Sequence, residues 1–310
     1  MNDFNYRSPK MENQLNLVDI NKTKTIVKDI KKNGLHPGLS SGWLGFDRFY
    51  SVPPIGQLNV LTGAPQTGKS EWLDSYIINM IVLHKWKVFV YSPENFPPEY
   101  HLQKLAEKIS GKPFFGNWTG YENISQKEID QCFKILENHF SFVDTHINNA
   151  SVDKIIDTIL AECLERKIDM AVIDPWNKLE SQKPQGVSGT KWVGRELTKI
   201  QMFARQHNIS FWIVAHPAKP IKLKDGSYAQ VTMYDISDSA HWYNMTDNGF
   251  ILHRTWEDRV NNFLTKMKIA KIKDRRYGHV GEHQFLFEPA NGRFGEVDSQ
   301  YGKTVVQPSF

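Results

Sequence analysis

The chain has 310 residues, 40% of them hydrophobic, and its 38 Lys and Arg against 34 Asp and Glu give a formal charge of +4. That length and apolar content suit one large α/β domain or two modest ones with a sizeable core, and the mild charge permits a nucleic-acid partner without requiring one. The longest apolar run, YIINMIVL at 76–83, is too short to cross a bilayer, the N-terminus has no signal-peptide segment, and Cys132 and Cys163 supply neither a disulfide scaffold nor a thiolate metal site, which excludes a membrane partner and points to a soluble protein of a reducing compartment.

Residues 1 to about 16 are polar and read as a mobile leader. NKTKTIVKDIKKNG follows as a short helix, with Asn21 near its cap, a narrow apolar stripe of Ile26, Val27 and Ile30, and Gly34 as its stop. A helix this small must dock on its own domain or on a neighbouring subunit. GLHPGLSSGWLGFD has the Gly and Pro content of a connector and opens the main domain. The expected organisation is an N-terminal segment over 1–36, a domain over 37–298 and a tail over 299–310.

From residue 57 strands and helices alternate. QLNVLTG and KVFVYS are β-rich, and the segment between them carries Leu73, Tyr76, Ile77, Met80 and Ile81 at helical spacing. Further helices are predicted at about 98–109, 126–138, 151–166 and 190–207, separated by the strands FSFVD, DMAVID and SFWIVAH. This alternation implies right-handed crossovers and an α/β fold with a mainly parallel central sheet flanked by helices. After about 248, NGFILHR, FLTKMKIAKIK and HQFLFEP are strands without helices between them, so antiparallel strands are expected at the C-terminal end.

The motif with the most chemistry is Gly63-Ala64-Pro65-Gln66-Thr67-Gly68-Lys69-Ser70, a GxxxxGK[ST] loop directly after a strand and before a helix. Its glycines let backbone N–H groups curl around phosphate oxygens, Lys69 suits the β and γ phosphates, and Ser70 suits Mg²⁺, so the predicted cofactors are ATP and Mg²⁺. Asp174 ends the strand DMAVID, where such a protein puts the carboxylate that orients the metal. Pro175 follows it, so no catalytic Glu is adjacent, and Glu94 at the end of VFVYSPEN is the candidate for positioning water. Taken alone, Glu94 is equally readable as a turn carboxylate. His216 ends the strand FWIVAH on the edge where ligands bind in a doubly wound sheet. KIAKIKDRRYGHVG gathers Lys268, Lys271, Lys273, Arg275 and Arg276, and in an extended strand Phe263, Met267 and Ile269 share a face that continues into Lys271, Lys273 and Arg275.

In chain order, GLSSGWLGFDRF, LTGAPQTGKSEWLD, VYSPEN, VIDPWNKLE, VAHPAK, YDISDSAHWYNMTDNGFILHR and KIKDRRYGHVG resemble the RecA-like P-loop ATPase domain of DnaB-type replicative ring helicases, and among them the phage primase-helicase and Twinkle branch. The resemblance implies an ATP hydrolase that translocates 5′ to 3′ on single-stranded DNA as a homo-oligomer, a hexameric ring, in the cytoplasm of a bacterial or phage-infected cell. It implies that Lys69 and Ser70 bind ATP and Mg²⁺, Glu94 activates water, Asp174 supports the metal, and His216 senses the γ-phosphate. The loop that follows, about 218–236, would hold DNA through Lys219, Lys222 and Lys224, although an ordinary solvated loop reads the same way. Where the family opens the next helix with Gly-Ser, this chain has Asp238-Ser239.

Lys273-Asp274-Arg275 matches the family's K-x-R element, whose Arg reaches a neighbour's nucleotide as an arginine finger with the Lys beside it. An alignment on GHVG would point to Arg276 instead; Arg275 is the residue preferred, with Arg276 kept beside it. The short N-terminal helix would dock on the adjacent subunit. Only about forty residues precede the ATPase core, so a separate primase or loader is a candidate partner. A recombination or repair ATPase and a nucleotide-gated loader or scaffold are the alternatives. FLFEPANGRF places Phe287 or Arg293 near the base, or is an ordinary strand and turn.

Overall fold

The computed structural model describes residues 17–145, 150–180, 183–219, 221–224, 226, 228–237, 241–254, 263–298 and 302–304. The polar leader at 1–16 and the Asp238-Ser239 pair lie outside the described residues. The chain divides into two compact units, residues 1–36 and 37–310.

The first unit holds α1 (Ile20–Asn33). Asp19, not Asn21, is its N-cap, accepting from the Lys22 N–H at 3.0 Å, and Gly34 at φ 82° closes it with an N–H to the Ile30 carbonyl. Ile26 and Val27 on its apolar stripe are exposed.

The second unit is built on β1 (Gln57–Thr62), β2 (Val88–Tyr91), β3 (Phe140–Phe142), β4 (Met170–Ile173), β5 (Ser210–Ala215), β6 (Asn248–His253), β7 (Leu264–Ile272), β8 (Gly281–Glu288), β9 (Arg293–Asp298) and β10 (Gly302–Thr304). Their order across the sheet is β10-β9-β8-β7-β6-β1-β5-β4-β2-β3. The strands from β6 to β3 pair in parallel, and those from β7 to β10 pair antiparallel, as the loss of intervening helices after residue 248 implies. Sequence reading missed β9, where RFGEVD has neither a sustained apolar run nor a clean alternation.

The helices are α2 (Leu44–Asp47), α3 (Lys69–His84), α4 (Pro98–Ser110), α5 (Gln126–His139), α6 (Val152–Glu165), α7 (Gly189–His207) and α8 (His241–Met245). Alternation along the buried strands feeds two cores. Leu61, Val90, Val172, Trp212 and Phe250 meet α3, α4 and α5 on one face, whereas Leu58, Val60, Ala171, Ile213 and Ile251 meet α6 and α7 on the other. On the first face Trp43, Phe46, Trp72, Tyr76 and Trp212 pack ring against ring; Trp72 and Tyr76 stack with centroids 5.5 Å apart. This aromatic mass fixes the start of α3, and with it the loop before it.

The cationic face predicted for β7 is corrected. Thr265, Met267 and Ile269 are its buried positions, but the register slips opposite Gly249 and Phe250, and the strand ends at Ile272. Phe263 precedes the strand at φ 49°, while Lys273, Arg275 and Arg276 belong to the turn after it.

Candidate active site

The GxxxxGK[ST] loop joins β1 to α3. A Cβ on Gly63 would stand 2.3 Å from the Leu252 carbonyl oxygen, so no larger residue fits. Gly68 caps α3 at φ 89°, and the Thr67 hydroxyl donates to the Ala64 carbonyl at 2.9 Å, closing the loop on itself. A glycine-containing turn that runs from a strand into the N-terminus of a helix is the arrangement whose backbone N–H groups bind phosphate. Lys69 is buried, its Nζ donating to the carbonyls of Gly63 at 2.9 Å and Ala64 at 3.0 Å. Burial lowers the ammonium to about 8, against the opposing pull of Asp174 and Glu94.

The ends of β2, β4 and β5 bring the other predicted groups to the same edge. Asp174 directly follows β4, its N–H bonded to the Tyr91 carbonyl of β2 at 2.9 Å. Burial pushes its carboxyl up to about 6, while a hydrogen bond from the Ser70 hydroxyl holds it down. Glu94, past the end of β2, has Oε2 3.5 Å from His216 Nε2, past the end of β5. Burial lowers the His216 imidazole, Lys69 lowers it further, and Glu94 opposes both. Lys69, Ser70, Glu94, Asp174 and His216 thus form one interacting set. A single buried carboxylate bonded to a hydroxyl beside a phosphate cradle is a donor set that fits Mg²⁺ held partly through phosphate and water.

No family model matches the chain. The Twinkle homolog protein, chloroplastic/mitochondrial, of Arabidopsis thaliana is 34% identical over 270 residues, which span 86% of this chain and 37% of that protein. The chain carries a RecA-like ATPase domain of the DnaB and Twinkle type. Among solved structures, one isolated ATPase domain superposes with a TM-score of 0.73 at 16% identity, covering 90% of this chain and 98% of that one. A DnaB-like replicative helicase, from work on its interactions with primase, gives 0.71 at 17% identity, covering 89% and 68%. At those identities the two structures speak to the fold.

The predicted DNA-loop residues of this RecA-like domain leave the same edge. Lys219, Lys222 and Lys224 are exposed on a segment anchored by Pro217 bridging Ile236 and by the Ala218 N–H to the Asp235 carbonyl. Lys222 bridges Tyr228, and the Ala229 N–H reaches the Ile221 carbonyl at 2.8 Å, so the loop folds as a small hairpin.

The K-x-R element lies elsewhere. Ile272 pairs with Asn248, which pairs with Asn59 near the start of β1, so residues 273–280 turn at the amino edge of the sheet. The phosphate loop follows the far end of β1, about 20 Å away at ~3.3 Å per residue. The predicted set is therefore divided: Arg275 and Arg276 are not brought to this chain's own phosphate loop. Lys273 Nζ is held 3.1 Å from Asp247 Oδ1, and Arg276 is held bidentate by Asp274 at 2.8 and 2.5 Å. Arg275 is exposed and has no hydrogen bond or ion pair among the described residues.

Sequence reading missed a charged layer behind α3. His101 Nε2 lies 3.2 Å from Asp74 Oδ1, both buried, and Asp74 in turn helps to raise Asp174. Glu71 pairs with Lys104 at 2.9 Å and with the buried Lys108 at 2.5 Å; burial would raise its carboxyl, but the two lysines hold it at about 2. The available signal was Glu71 and Asp74, three apart on one face of an otherwise apolar helix. The Arg293 guanidinium is buried, donating to the Lys108 carbonyl at 2.6 Å and the Ile109 carbonyl at 2.9 Å, where it caps α4. Phe287 packs on Phe294, with ring centroids 5.2 Å apart, and Phe294 approaches Gly68.

Proposed function

We propose that this chain is an ATP-driven replicative DNA helicase of the DnaB type, a homo-oligomeric ring of six copies that translocates 5′ to 3′ on single-stranded DNA. The observation that carries this reading is the division of the set, with Lys69, Ser70, Glu94, Asp174 and His216 at one edge of the sheet and an unpaired Arg275 at the other. Such a set becomes complete when two copies meet edge to edge.

In that site the loop N–H groups and the α3 N-terminus hold the β and γ phosphates, and Lys69 moves from the Gly63 and Ala64 carbonyls to neutralise them. Ser70 and Asp174 would hold Mg²⁺, which neutralises phosphate charge when bound. Glu94 orients a water and takes its proton as the water oxygen bonds to the γ phosphorus. The bond from that phosphorus to the bridging oxygen breaks, and ADP and phosphate leave. Arg275 of the next copy meets the charge that develops, a contribution worth about 10³ to 10⁵ in rate when supplied in trans in other NTPases. His216, beside Glu94, links the phosphate to the lysine hairpin and so to DNA.

The chain spans 37% of the Twinkle homolog's length, and a primase or a loader is the proposed protein partner of the ring. The alternatives of a recombination protein and a loader are not favoured by these relatives. Among the described residues no helix is long and apolar enough to cross a membrane. We place the activity in the cytoplasm of a bacterial or phage-infected cell, a location supported by two cysteines that are both free thiols. The test is DNA-stimulated ATP hydrolysis together with displacement of a forked duplex by purified protein. Absence of both would end the reading.

A further inference from the structure

Beside the K-x-R turn lies a hollow of 570 Å³, lined by Arg48, Arg275, Arg276 and His279 together with Asp47. Its charges are not equivalent. The guanidinium of Arg276 is taken up by Asp274. The Asp47 carboxylate is occupied by the hydroxyls of Ser40 and Ser41 and by the Ser41 N–H at 2.8 Å. Arg48, at the end of α2, is exposed and, like Arg275, has no hydrogen bond or ion pair among the described residues. Two unspent guanidinium forks therefore face one hollow.

The platform that carries them is fixed. The Ser51 N–H donates to the Tyr277 carbonyl at 2.8 Å and the His279 N–H to the Phe49 carbonyl at 3.0 Å, so the two segments are stitched on both sides of Tyr50 and Gly278. A Cβ on Gly278 would stand 2.0 Å from the Phe49 carbonyl oxygen, and one on Gly281 would stand 2.3 Å from the Phe49 ring. Two residues before Arg48, Phe46 is fully buried in the aromatic core. Guanidinium groups that line one hollow with no carboxylate to satisfy them suit an anion that offers several oxygens, and phosphate matches the paired N–H geometry of each.

We infer that Arg48 is a second trans-acting arginine, which binds the polyphosphate of a nucleotide held by the adjacent copy of this chain, beside Arg275. This rests on the trans site proposed above and adds to it a catalytic residue from the segment that precedes the phosphate loop. Arg48 and Arg275 come from segments more than two hundred residues apart in sequence, so only the stitched platform makes them act on one ligand.

The experiment measures ATP hydrolysis by wild type, Arg48→Ala and Arg48→Lys, and by Lys69→Ala mixed with Arg48→Ala or with Arg275→Ala. Arg48→Ala is expected to lose roughly 10- to 100-fold in kcat, the worth of one hydrogen bond to a charged group, with Arg48→Lys intermediate because the fork is lost and the charge kept. Mixing Arg48→Ala with Lys69→Ala should restore hydrolysis, since one copy supplies the phosphate loop and the other supplies Arg48. Recovery also shows that the Arg48→Ala chain is folded. If Arg48→Ala keeps the wild-type rate, or if the Arg275→Ala mixture recovers and the Arg48→Ala mixture does not, the assignment is overturned while the motor reading stands. If neither mixture recovers, or the wild type does not hydrolyse ATP, the trans-site reading itself fails.

Discussion

Asp247 holds Lys273 in place: Lys273 Nζ is 3.1 Å from Asp247 Oδ1, and the Lys273 N–H donates to the Asp247 carbonyl at 3.0 Å. The same buried carboxylate accepts from the Leu58 N–H at 3.0 Å, Gln201 Nε2 at 2.9 Å and Arg205 at 2.8 Å. It therefore ties the start of β1, α7 and the K-x-R turn to one point. Replacing it by Ala strips acceptors from a buried N–H and two cations; because Lys273 and Arg205 are about half exposed, water recovers part of the loss. Asp247→Ala should cost about 3 kcal/mol, read as a lowered urea midpoint. A wild-type midpoint would show that Asp247 does not organise this edge.

Arg275 and Arg276 should separate in function as they do in structure. Arg276 is committed to Asp274, and Arg275 is not. Arg275→Ala is expected to lower the rate of ATP hydrolysis by about 10³ or more, the range for a finger in trans, and Arg276→Ala by far less. Added to wild type in increasing ratio, Arg275→Ala should depress activity more steeply than dilution. A fall merely proportional to dilution would show that no arginine acts across the interface.

The residues legible in the sequence are those whose role is set by local order. The phosphate loop is contiguous, and Glu94, Asp174 and His216 each follow an apolar strand, so the edge where they meet could be read from parallel topology alone. What stayed hidden depends on pairs far apart in the chain. Nothing near Lys273 in the sequence announces the Asp247 carboxylate beneath it, and FLFEPANGRF, open between a place near the base and an ordinary strand and turn, does not announce that α4 ends against Arg293. His101 and Asp74 sit on separate helices, and nothing in either helix announces the other. The choice between Arg275 and Arg276 was likewise open in the sequence, because it turns on where Asp274 points.

The His101–Asp74 pair predicts a pH-dependent stability. Burial alone would lower the imidazole, but the Asp74 charge and hydrogen bond raise it above its ordinary 6.5. A raised folded-state value means the folded chain binds the proton more tightly, so the contribution is fully present below 6.5 and is lost as pH rises through the folded value. The melting temperature of wild type should exceed that of His101→Gln at pH 6, and the gap should shrink by pH 9. A gap independent of pH would mean that the ring is held neutral and acts by packing.

The lysine hairpin predicts a salt effect distinct from a stability effect. Lys219, Lys222 and Lys224 are exposed, so removing their charges leaves the core intact, and the Lys219→Ala, Lys222→Ala, Lys224→Ala variant should melt as wild type does. Each phosphate contact on single-stranded DNA contributes about 0.7 to the slope of log affinity against log salt, so three lost contacts should flatten that slope by about 2. Titrations of a labelled oligonucleotide at several salt concentrations measure it directly. An unchanged slope with unchanged affinity would assign these lysines to solvent and move the DNA path to another part of the ring.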